Sequence, residues 1–97
     1  MDSAWDRLLD LIDHLAAAPD RPIGPDLEPA FAELSTQAQA DGDIDGELHV
    51  DDVARWLTGL VTAHRAVRTA HPEVDPDTDL AGLRRIVTRW LHPARPR

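Results

Sequence analysis

Residues Asp41–Asp52 read DGDIDGELHVDD. Carboxylates stand at the first, third, fifth and twelfth places, Gly46 at the sixth, and an apolar residue, Leu48, at the eighth. Alternate residues at the start of a tight loop can face one way, so Asp41, Asp43 and Asp45 can converge on a cation. The carbonyl of Glu47 can join them, and Asp52, in the first turn of a following helix, can close the cage. A hard cation such as calcium takes six to eight oxygens at about 2.3–2.6 Å, which carboxylates supply. The alternative is an acidic turn between two helices that holds no ion. Under either reading the segment separates two helices.

Working outward, the apolar residues recur at helical spacing on both sides. Ser3 can cap a first helix that runs to about Ala18, with Trp5, Leu8, Leu9, Ile12 and Leu15 as its stripe. The segment PDRPIGPDLEP that follows carries four Pro and a Gly and reads as a linker over 19–29. Its P-x-x-P spacings read as stiffening of a loop rather than as a ligand for an aromatic groove. Leu27, Phe31, Leu34 and Ala38 mark a second helix, about 26–40. Val53, Trp56, Leu57, Leu60, Val61 and Val67 mark a third, starting near Val50, with Gly59 as a weak point midway. HPEVDPDTD ends it, and a fourth, about 79–92, carries Leu80, Leu83, Ile86, Val87, Trp90 and Leu91. Convincing two-residue alternation is missing throughout. The expectation is one all-α domain over 1–97: an N-terminal helix (1–18), the linker, a helix-loop-helix pair (30–92) and a frayed tail (93–97).

VARWL at 53–57 and VTRWL at 87–91 differ at one position and lie 34 residues apart. The same shift carries Asp41, Asp43 and Asp45 onto Asp75, Asp77 and Asp79. The first loop resembles the EF-hand calcium-binding loop, D-x-[DN]-x-[DN]-G-x5-E, over all of its places. The 34-residue echo then resembles a second, degenerate copy, with Leu80 in the glycine place and Ile86 in the closing place. Asp77 or Asp79 can equally be a simple helix cap. Two departures stand out. The closing residue is Asp52 rather than Glu, as in dockerin modules. The helix entering the loop also places its apolar stripe out of the family's frame. The resemblance implies an EF-hand-like pair with one calcium site at Asp41, Asp43, Asp45, Glu47 and Asp52. The shorter closing side chain implies weak affinity, on the order of 10⁻⁵ to 10⁻³ M, and tolerance of magnesium.

Composition narrows the classes. The chain has 97 residues and no Cys, which excludes disulfides and thiolate chemistry. All ten basic residues are Arg, a bias that fits a GC-rich bacterial genome. Net charge is −8, split between −12 over residues 1–52 and +4 over 53–97. Such an acidic chain is a poor match for nucleic acid or an anionic membrane. The acidic start and the lack of a long apolar run point to a cytoplasmic chain without a membrane span.

His64 and His71, seven apart, lack a third ligand for zinc and read as solvated. Trp5, Trp56 and Trp90 read as core anchors, and Arg84 and Arg85 as a solvated face. Nothing resembles a nucleophile-base pair, a phosphate loop or paired catalytic carboxylates, so an enzyme is not expected. Two functions remain: a small calcium-binding helical protein, structural or regulatory, or a metal-free helical bundle that binds a protein partner.

Overall fold

The computed structural model describes residues 2–93. The chain is all-α, with four helices: α1 (Ala4–Ala17), α2 (Leu27–Ala40), α3 (Val50–Ala70) and α4 (Pro76–Leu91). Among the described residues no helix is long and apolar enough to cross a membrane.

Each helix has a local cause. Ser3 caps α1, its Oγ accepting from the Asp6 N–H at 3.1 Å, and Leu8 and Ile12 turn inward one turn apart. At the other end of α1, Arg65 of α3 donates to the carbonyls of Leu15 (3.2 Å), Ala18 (3.1 Å) and Arg21 (2.6 Å). One guanidinium therefore satisfies carbonyls that a helix end leaves unpaired, and it ties the proline-rich connection to α3. Pro29 lies inside the first turn of α2, where its missing N–H costs nothing, so α2 begins at Leu27, close to the expected 26, and takes in the last residues of the 19–29 linker.

Helix α3 runs unbroken through Gly59 and buries Val53, Ala54, Leu57 and Val61. Helix α4 starts three residues before the expected Asp79, because Pro76 at its first position is pre-set for helical geometry. Neither Asp77 nor Asp79 is the cap. Asp75 holds that place, while Asp79 pairs with Arg68 at 2.7 Å. Arg68 also donates to the Val74 carbonyl at 2.8 Å and so fixes the α3–α4 turn. Of the expected tail, residues 94–97 lie outside the described residues.

Helix α3 is the hub. It packs against α1, α2 and α4, whereas α4 rests on α3 and α1 and does not pack against α2. The connection between α2 and α3 bridges that gap. Ile44 is 2% exposed and joins Phe31, Leu57, Val87 and Leu91 in one core cluster. The Asp45 N–H donates to the Leu91 carbonyl at 2.8 Å, and His92 Nδ1 donates to the Asp43 carbonyl, also at 2.8 Å. Full burial of a side chain of this size contributes about 1.5–3 kcal/mol. The acidic loop is thus a strap across the end of the bundle.

Candidate functional site

The sequence directs attention first to the strap. Its entry is a helix-ending motif closed by backbone hydrogen bonds. The Gly42 N–H donates to the Gln39 carbonyl at 3.1 Å, and the Asp43 N–H to the Ala38 carbonyl at 2.9 Å. This is the Schellman pattern, which needs a left-handed residue just past the helix. Gly42 supplies it with φ of +87°, the one positive φ among the described residues. In the EF-hand loop the sharp turn belongs to the glycine at the sixth place. Here Gly46 occupies that place with a negative φ, and the turn falls four residues early.

The remaining loop groups are engaged by the protein itself. Gln39 Nε2 donates to the carbonyls of Asp45 (3.0 Å) and Leu48 (2.8 Å). Asp45 Oδ1 accepts from the Glu47 N–H at 3.0 Å, a local turn that occupies one of the expected ligand oxygens. Asp52 pairs with Arg55 at 3.1 Å, and both side chains are exposed. Asp41 and Glu47 are exposed, while Asp43 and Asp45 are half-buried. Among the described residues no group of three or more His, Cys, Asp or Glu is gathered to hold a metal ion. In this arrangement Asp41, Asp43, Asp45, Glu47 and Asp52 are not drawn together around one point. Leu48 packs against the rim of the core, and Ile44 fills its interior.

A second feature lies between α3 and α4. Trp56, Leu60, Ile86 and Trp90 line a trough of about 250 Å³. It continues past Leu60 and Ile86 into a stretch of similar volume, reaching Val67, Gly82 and Leu83. Trp56 is 59% exposed, Ile86 55% and Val67 45%, so the expected burial of Trp56 does not hold. The two VxRWL segments explain each other here. In each, Val and Leu turn into the core (Val53 and Leu57, Val87 and Leu91), and Trp faces the trough.

A sequence signal for this face existed. At 100° per residue the apolar positions of α3 span roughly 140°, wider than the stripe of about 100° that one core-facing side needs. The surplus, Trp56, Leu60 and Val67, is the trough wall.

His64 closes the far end. It is buried, not solvated, and neither ring nitrogen has a hydrogen-bond partner. Burial lowers its pKa from the ordinary 6.5. Asp79 opposes that shift, and Arg68 and Arg65 reinforce it. His71, by contrast, is exposed and lies 3.2 Å from Glu73.

Compared with family models, curated proteins and solved structures, the chain matches none.

Two outcomes follow from this geometry. Gly42→Ala places an L side chain in the left-handed region and should destabilise the fold by about 1–2 kcal/mol. Gly46→Ala meets open space at a negative φ and should be tolerated. Thermal melts of the two variants decide which glycine makes the turn, and the reverse order would restore the EF-hand geometry.

The second outcome concerns pH. With its folded pKa lowered, His64 takes up a proton more readily in the unfolded chain. The associated stability is complete above 6.5 and is lost as pH falls from 6.5 through the lowered folded value. Melting temperature should therefore drop between about pH 7 and pH 5, and His64→Leu should flatten that drop. An unchanged slope in the variant would assign the effect elsewhere.

Proposed function

We propose that this protein is a helical interaction module that takes the apolar face of a partner's amphipathic helix in the α3–α4 trough. The observation that supports the reading is the outward placement of Trp56 and Ile86 on facing walls of one trough, each more than half exposed. A chain that buries smaller residues such as Ala38 and Val53 completely has the means to hide a tryptophan. Leaving a contiguous apolar face open is the mark of an association surface.

The geometry suits a helix. Two helix walls joined along an apolar floor form the groove in which a third helix sets residues spaced i, i+3, i+4 and i+7. Small-molecule sites combine apolar walls with a few convergent polar groups. At the Trp56–Trp90 end the lining is almost wholly carbon. Tryptophan also carries much of the energy of known interfaces. Covering the exposed part of Trp56 contributes about 2–4 kcal/mol by area.

Ion binding is not needed for this reading, since the strap is held by Ile44, Gln39 and the end of α4. Photocrosslinking from position 56 in the native host identifies the partner, and binding is then rebuilt from purified components. Trp56→Asp should weaken that complex at least about 30-fold, the loss of a hot-spot residue, with the circular dichroism spectrum and melting temperature of the free chain retained. A complex that tolerates Trp56→Asp would contradict the proposal.

A further inference from the structure

The two rims of the trough differ, and the difference specifies the partner. Helical register places Arg85 and Arg89 one turn apart on α4, on the outer side of Gly82 and Ile86, where they flank the trough and also line a shallow hollow beside Leu9 of α1. Both are exposed, and neither forms an ion pair among the described residues. Their neighbour Arg84 lies 3.7 Å from Asp13 of α1 and is spoken for. The rim on α3 is unlike this one. There Gly59, Ala63 and Ala66 are exposed, small and uncharged. The charges near that rim, Asp52 and Arg55, pair with each other at its Trp56 end.

We infer that the occupant of the trough is an acidic amphipathic helix, lying with carboxylates along its α4-facing edge where Arg85 and Arg89 can pair with them. The inference rests on the interaction-module reading and adds the charge of the partner. Guanidinium groups one turn apart match carboxylates at the same spacing on a helix, and each guanidinium can donate a forked pair of hydrogen bonds to a carboxylate. The small residues of the other rim let the helix settle close to α3. A second copy of this chain fits less well. Docked trough to trough about a twofold axis across the trough, it would bring the arginine edge of α4 to meet itself; about an axis along the trough, it would set that edge against the uncharged rim of α3, and neither arrangement gives the arginines a row of carboxylates.

The test uses a displayed library of helical peptides with a fixed apolar face at i, i+3, i+4 and i+7. Both edge positions vary among Glu, Lys and Ser. Selection on the wild-type chain should enrich Glu along one edge. Replacing those Glu by Gln in a selected peptide should weaken binding about 2- to 30-fold, the range for two exposed ion pairs, and added salt should shrink the difference. Selection on R85E/R89E should turn the preference to Lys, and on Trp56→Asp it should enrich nothing.

Enrichment without a charge preference, or of Lys on the wild-type chain, would overturn the acidic-helix inference and leave the trough reading standing. No enrichment on the wild-type chain would overturn both. A wild-type chain that sediments as a dimer, and as a monomer when Trp56 is changed to Asp, would give the trough to a second copy.

Discussion

The backbones of α2 and α4 do not approach each other closely, so the bundle depends on how the segment between α2 and α3 spans the gap. Ile44 is the plug, and the hydrogen bond from the Asp45 N–H to the Leu91 carbonyl is the latch. The latch satisfies one of the carbonyls that the end of α4 leaves unpaired. Gln39 holds the segment from its own helix, and His92, its ring tilted against Trp5 at 4.5 Å, holds it from outside through the Asp43 carbonyl. Four elements therefore meet at one end of the molecule.

With that end fixed, the other features take their places. Val87 and Leu91 are drawn into the core beside Ile44, which sets the rotation of α4. That rotation turns Ile86 and Trp90 toward α3 and leaves Arg85 and Arg89 exposed on the outer side of α4. On α3 the equivalent choice buries Val53 and Leu57 and leaves Trp56 outside. The apolar trough is thus a consequence of how two similar five-residue segments pack their Val and Leu pairs. Its far end carries a cost, since His64 is buried with both nitrogens unpaired, and burial lowers its pKa.

Much of the fold was legible in the sequence. Ser3, the leucine stripe of α1 and the apolar spacing of α2 and α3 express local propensities that packing did not override. Pro76 was harder, because a proline that ends one helix can also begin the next. The acidic loop shows why a spacing pattern is weaker than it looks. D-x-D-x-D-G specifies where carboxylates stand along the chain, but the turn is set by whichever glycine takes the positive φ. That glycine is Gly42, placed by the backbone bonds ending α2. Ile44, between two of the carboxylates, was free to enter the core, and nothing in the ligand pattern reports that. Trp56 was misplaced for a different reason. Apolar residue type predicts burial in some interface, and the interface need not lie within the same chain.

The acidic strap is fastened by the protein's own groups, and the α3–α4 face is left open. Native-state hydrogen exchange at the Asp45 amide tests this most directly. Without calcium the amide should be protected to nearly the same degree as the core of α3, exchanging only when the whole domain opens, and millimolar calcium should leave its rate unchanged. Rapid exchange without calcium, with protection appearing once calcium is added, would mean that an ion and not Ile44 and Leu91 orders the strap, and would contradict the account.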